Sequence, residues 1–140
     1  VKWKRTRDEG SAPERGNNED AGWDLVACEE TVIEPGTWGN VPVGIAVELP
    51  YHTWGMITGR SSTLMKRKLL VSLSVIDSGF RGELFVFAWN LNDERAVVEK
   101  GARIGQLIVI RRSMTWDSWL EVESLSDSLR GTNGFGSTGA

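Results

Sequence analysis

An acid at the end of an apolar stretch, followed by a glycine-rich turn, can hold a carboxylate beside a pocket. Val75-Ile76-Asp77-Ser78-Gly79-Phe80-Arg81-Gly82-Glu83 has that form. Asp77 is either a turn residue bonded to its own backbone or a general base that takes a proton from water. Phe80 is either core or a ring set against a ligand. Gly59-Arg60-Ser61-Ser62 closes one apolar stretch and opens another. A guanidinium, two hydroxyls and free amides at a helix start suit a phosphate. The same residues also make an ordinary cap with a solvated arginine. Asp24 lies inside Ala21-Gly22-Trp23-Asp24-Leu25-Val26-Ala27. A carboxylate in an apolar strand needs a partner, either a structural arginine or a nearby metal–phosphate group. Gln106, within Arg103-Ile104-Gly105-Gln106-Leu107, is an amide in an apolar strand. It is a structural crosslink or a pocket residue, since a buried amide needs partners.

The C-terminus differs in kind. Residues 130–140 hold four glycines in eleven positions, too many for a stable strand or helix. They read as a loose terminus or as an arm that orders over a ligand. Arg130 would serve phosphate, Phe135 a base, and Ser137 and Thr138 phosphate oxygens.

The elements that must position these groups read as β. Val1–Arg5 alternates, Trp23–Ala27 is short and apolar, and Val32–Ile33 precedes a Pro35–Gly36 turn. Val41, Val43, Ile45, Val47 and Leu49 fall on one face of an extended stretch, with Pro42 marking an edge or bulge. Thr53–Thr58 and the continuous run Leu84–Trp89 follow, the latter suited to a buried strand. Ala96–Val98, Ile104–Ile110 and Trp119–Val122 complete the set, and Ser61–Leu70 alone suits a short helix. Short strands with frequent turns predict an all-β sandwich or barrel of the jelly-roll kind. An immunoglobulin-like sandwich is the alternative, although here it would lack that fold's disulfide.

Length and composition narrow the functions. One domain accounts for 140 residues. Cys28 and His52 are the single cysteine and histidine, which excludes an intrachain disulfide and a zinc site of the usual kind. Serine or cysteine hydrolase chemistry would have to run through His52. Mg²⁺ held by carboxylates and substrate phosphates needs neither residue. A net charge of −3 argues against a duplex-coating protein. Apolar runs are too short for a membrane helix, and the start does not resemble a signal peptide, so an intracellular location is expected. Most of the seven tryptophans are expected to fill core or interface.

In this order, Ala-Gly-Trp-Asp-Leu, Gly-Arg-Ser-Ser, Val-Ile-Asp-Ser-Gly-Phe-Arg-Gly-Glu, Gly-Ala-Arg-Ile-Gly-Gln-Leu and Arg-Gly-Thr-Asn-Gly-Phe-Gly-Ser-Thr-Gly resemble the five motifs of the trimeric dUTPases, from about Ala21 to Gly139. The resemblance implies a jelly-roll homotrimer that hydrolyses dUTP to dUMP and pyrophosphate with Mg²⁺. Such an enzyme lowers dUTP and supplies dUMP for thymidylate synthesis. It would work in the cytoplasm, or in the nucleus of a eukaryotic host, without a membrane or direct nucleic-acid binding. Residues 1–129 would form the barrel domain and 130–140 an arm closing over a site at a subunit interface. Asp77 would be the general base for water attacking the α-phosphorus. Arg60, Ser61 and Ser62 would hold the phosphate chain, and Gln106 would lie beside the phosphates or the metal's waters. Asp24 would contact the metal through water, with Mg²⁺ held mainly by the triphosphate. Backbone groups of a hairpin near Ser74 and Phe85 would read uracil. Phe135 would stack on it, while Arg130, Gly136, Ser137 and Thr138 would grip the phosphates.

Phe80 stands where the family usually has tyrosine. It keeps the ring that packs on deoxyribose and crowds out a 2′-hydroxyl, and it loses the phenol. Ser62 and Ser74 replace glycines, and Trp23 replaces a tyrosine. The sequence also resembles dCTP deaminase at Gly-Arg-Ser-Ser and Asp-Ser-Gly-Phe. The glutamate that activates water in that enzyme aligns with Phe87, which leaves deamination without a base. A nucleotide-dependent regulatory protein on the same fold is a further reading, which Asp77 and the complete tail disfavour.

Overall fold

A computed structural model describes residues 1–113 and 119–128, and they run mainly as short strands. In chain order these are β1 (Lys2–Arg5), β2 (Trp23–Val26), β3 (Thr31–Ile33), β4 (Trp38–Pro42), β5 (Ile45–Glu48), β6 (Thr53–Gly59), the helix α1 (Ser61–Arg67), β7 (Leu69–Val71), β8 (Ser74–Asp77), β9 (Phe85–Asn90), β10 (Ala96–Val98) and β11 (Arg103–Arg111). A four-stranded antiparallel sheet has the order β2-β11-β6-β8, and a three-stranded one the order β4-β9-β7. Two ribbons, β1-β5 and β10-β3, complete the set. Among the described residues no continuous ladder closes these sheets into a barrel. The all-β, jelly-roll-like expectation with one short helix holds.

Period-two alternation decides which side chains enter the core. Leu25, Ile57, Ile76 and Leu107 point inward from the four-stranded sheet, and Val41, Val86 and Ala88 from the three-stranded one. Leu84 and Ile104 fill the space between. Each such side chain larger than Ala88 contributes about 1.5–3 kcal/mol by leaving water.

Several expected boundaries move. The stretch Val41–Leu49 is two strands in different sheets, β4 and β5. The chain turns between them at Gly44, whose φ of +67° lies in the left-handed region open to glycine. All five alternating residues are nonetheless buried, because both strands face one core. Pro42 ends β4, an edge strand, where its missing N–H costs no ladder bond. The helix stops at Arg67, because Lys68 takes φ 50°, and Leu69–Val71 is a strand. The Leu84–Trp89 run is not fully buried: β9 alternates, with Val86 and Ala88 inside and Trp89 exposed. Residues 119–122 form no strand, and Trp119 is fully exposed. Trp3, Trp23, Trp38 and Trp89 are exposed too, so these tryptophans are not core filler in a single chain.

Candidate active site

Directly opposed residues of an antiparallel pair share a face. The outer face of the four-stranded sheet therefore reads in rows. Asp24, Gln106 and Thr58 form the first, Ile108, Met56 and Val75 the second, and Ile110, Trp54 and Asp77 the third.

The first row is a polar cluster. Asp24 Oδ1 lies 2.7 Å from Arg60 Nε and its Oδ2 lies 3.2 Å from Arg103 Nη1. The Asp24 carboxylate is only 15% exposed, so two arginines answer the cost of its burial. Its backbone N–H donates to the Glu14 carbonyl at 2.6 Å, which pins the preceding loop to β2. Gln106 Nε2 donates to the Gly59 carbonyl at 3.0 Å. A Cβ at Gly22 would run into the Gln106 side chain, so a larger residue fits there only if the Gln106 amide moves. Gly22→Ala should displace the Gln106 amide and lower turnover about tenfold or more, through lost positioning. Steady-state kinetics beside a melting curve would separate this from unfolding.

Arg60 is the cap residue of α1, and its side chain makes no capping bond. Neither serine occupies the cap position, so Ser61 and Ser62 open the helix itself. The buried Thr63 hydroxyl donates to the Ile104 carbonyl at 3.1 Å and docks the helix on β11. Beside it lies an open cleft of about 280 Å³ lined by Arg60, Ser62, Lys66, Arg67 and Arg103. Against these four cations stand Asp24 and Glu99, the latter 3.4 Å from Arg67. The excess positive charge and the hydroxyls suit a phosphate chain.

The other candidate residues lie on the segment from β8 to β9. Asp77 is exposed at the end of β8, opposite Trp54. The Phe80 N–H donates to the Asp77 carbonyl at 3.0 Å, and Arg81 Nη1 donates to the Ser78 and Phe80 carbonyls. Ser74 pairs with Ile57 and Phe85 with Pro42. They therefore sit in different sheets, and the expected hairpin is a turn between sheets. Among the described residues β8 is an edge strand, so one row of its backbone donors and acceptors has no ladder partner there.

A single chain does not bring the two groups together. Gly59, next to Arg60, is five residues along β6 from Trp54, the partner of Asp77, which is about 17 Å at the ordinary strand rise. The half-exposed Met56 and Ile108 and the exposed Val75 lie between. His52 stands at the Thr53 end of β6, while Ser61 and Ser62 follow its Gly59 end, so no Ser–His pair forms. Cys28 is buried, which pushes its thiol pKa up and makes it a poor nucleophile.

Arg130, Phe135, Gly136, Ser137 and Thr138 lie outside the described residues. Arg103 has no role that its sequence position reveals; the fold makes it the second cation on Asp24. Gly22 gave no sequence signal beyond lying next to Trp23 and Asp24.

The dUTPase family model matches residues 8–139. The deoxyuridine 5'-triphosphate nucleotidohydrolase of Clostridium tetani is 35% identical over 141 residues, covering 99% of this chain and 96% of that protein. The enzyme of the same name from Alkaliphilus metalliredigens is 38% identical with the same coverage. Among solved structures, the dUTPase of Staphylococcus bacteriophage 80alpha with dUpNHpp is 28% identical, with a TM-score of 0.92 over 99% of this chain and 98% of that one.

Proposed function

The chain belongs to the dUTPase family, and on that premise we propose that it hydrolyses dUTP to dUMP and pyrophosphate in the presence of Mg²⁺. The observation that carries the reading is the convergence of Asp24, Arg60, Arg103 and Gln106 beside a cationic cleft, on the sheet face that also presents Asp77.

Arg60, Ser61 and Ser62 bind the phosphate chain, and Gln106 orients it. Asp77 takes a proton from the water that attacks the α-phosphorus, and pyrophosphate leaves. The donor set suits Mg²⁺ carried mainly by the triphosphate. Asp24 already spends both carboxylate oxygens on arginines, which fits contact through water. No group of three metal-ligating side chains occurs among the described residues. When bound, the ion offsets charge on the phosphate oxygens. Backbone groups beside Ser74 and Phe85 read uracil, and the Phe80 ring packs on deoxyribose. The unpaired edge of β8 supports backbone reading of the base, because fixed amides and carbonyls reject a mismatched donor pattern.

Asp77 and Arg60 are too far apart in one chain to act on one α-phosphate. The site therefore takes them from different copies, and the apolar strip between them supports packing of copies as a homotrimer. Residues 1–129 form the domain. Residues 130–140 form an arm that brings Arg130, Phe135, Gly136, Ser137 and Thr138 over the nucleotide and excludes water. No helix among the described residues is long and apolar enough to cross a membrane.

The test is pyrophosphate release from dUTP, dCTP, dTTP and UTP in parallel with Mg²⁺, with ammonia followed alongside. Rapid turnover of dUTP alone, without ammonia, is expected. Ammonia from dCTP would move the chain to the deaminase reading. Bound dUTP without turnover would favour a regulatory protein.

A further inference from the structure

Arg7 lies in the loop after β1, far in sequence from every motif. The Thr6 and Arg7 backbone N–H groups both donate to the Gly44 carbonyl, at 2.9 and 3.3 Å, so the side chain leaves from a fixed point. Its guanidinium meets two carboxylates: Nε is 2.7 Å from Glu83 Oε1, and Nη1 is 2.9 Å from Glu29 Oε2. It also lies over the Phe85 ring, 5.9 Å from the centroid. Burial works against its charge, but Glu83 and Glu29 outweigh that and leave the Arg7 pKa above its ordinary value.

The two carboxylates are not equivalent. Glu29 is more than half exposed, whereas the Glu83 side chain is 19% exposed. Glu83 Oε1 is buried, and the ion pair with Arg7 Nε is the contact that answers its burial. The charge of Arg7 is what offsets its lost hydration, and without it a buried carboxylate oxygen stands unpaired. Glu83 also occupies a sensitive place. Next to it is Gly82, on which the Phe80 ring lies: a Cβ there would stand 2.6 Å from the ring's Cζ. On its other side Leu84 is tied by backbone bonds to Ile45 and Val43. Arg81 spends its guanidinium on carbonyls within its own turn, so the tie from this turn to a distant segment falls to Glu83.

We propose that Arg7 is a positioning residue for substrate selection: by clamping Glu83 it fixes the Phe80–Phe85 segment against sugar and base. The proposal rests on the reading of that segment as the one that excludes a 2′-hydroxyl and reads uracil. If Glu83 shifts, Gly82 shifts with it, the floor under the Phe80 ring moves, and room opens at the sugar. Selectivity should suffer more than rate, since Arg7 touches none of the groups assigned to phosphate or water.

The experiment measures kcat/KM for dUTP and UTP in Arg7→Gln, Arg7→Lys, Glu83→Gln and the Arg7→Gln/Glu83→Gln double variant. The dUTP-to-UTP ratio is expected to fall about tenfold in Arg7→Gln, with kcat on dUTP within about threefold of the parent. Arg7→Lys should recover most of the ratio, and the double variant should lose no more than the worse single one, as for residues acting through one contact. A ratio within about twofold of the parent in Arg7→Gln and Glu83→Gln overturns the proposal. Amide exchange over residues 78–85 gives a readout independent of catalysis: faster exchange in Arg7→Gln supports the clamp, and unchanged exchange overturns it. If Arg7→Gln fails to fold, Arg7→Lys and Glu83→Gln carry the same comparison. A parent protein that turns over no dUTP sinks the functional reading instead, and the exchange measurement then decides the clamp alone.

Discussion

Asp77→Asn should leave a folded protein that still binds a non-hydrolysable dUTP analogue but turns over dUTP at least about 100-fold more slowly. That loss corresponds to roughly 2.7 kcal/mol of barrier. The structural cost of the same change is small, because Asp77 is exposed and forms no ion pair among the described residues. A surface substitution of this kind changes stability by about 0.5 kcal/mol or less. The two magnitudes are far enough apart for the variant to report chemistry rather than folding. Asp24 offers no such clean test: its carboxylate is mostly buried and holds two arginines, so its removal would disturb the cluster before any reaction began. In the Asp77 variant the loss should fall on kcat, with analogue affinity preserved. Near-normal turnover would remove Asp77 from proton transfer. Normal folding with lost analogue binding would make it a binding group instead.

Much of this was legible in the residues because local rules and tertiary context agree. The polar groups Asp24 and Gln106 stood out inside apolar strands, and each has the partners its burial demands: Arg60 and Arg103 for one, the Gly59 carbonyl for the other. The inward set of β6 follows plain alternation, and that of β11 does so only beyond Ile104 and Gly105, which are both buried beside a register shift. Errors fell where alternation runs through a change of sheet. Val41 to Leu49 keeps its period across Gly44, since both strands face the same core, and a pattern of burial carries no record of the turn between them. The Leu84–Trp89 run misled in the opposite sense. Its outward Phe87 and Trp89 are as apolar as its inward residues, so periodicity was hidden by chemistry. Of those outward aromatics Phe87 lies against the Trp38 ring, while Trp38 and Trp89 are exposed in one chain. Arg7 could not be found from sequence at all, because a clamp between residues 7 and 83 exists only once the chain is folded.

Coexpressing the Asp77→Asn and Arg60→Ala chains should restore activity that neither possesses alone. The argument is geometric. The two residues stand at opposite ends of one sheet face, about 17 Å apart by strand rise, whereas a general base and a phosphate-binding arginine must act within a few ångströms of the same substrate. If each site draws Asp77 from one copy and Arg60 from another, a mixed assembly contains some sites with both. Such a site needs the Arg60→Ala chain as its Asp77 donor and the Asp77→Asn chain as its Arg60 donor. With equal expression and random association, about one quarter of sites meet this condition. The mixture should recover roughly that share of parental turnover, against a background at least about 100-fold lower. A site built within one chain makes the opposite demand: every chain then lacks one of the two groups, and no mixing ratio helps. Recovery near one quarter would therefore establish both the shared site and the assembly. Inactivity of a mixture shown by mass to contain mixed oligomers would place Asp77 and Arg60 in one subunit's site, and the strand-rise argument for sharing would fall with it.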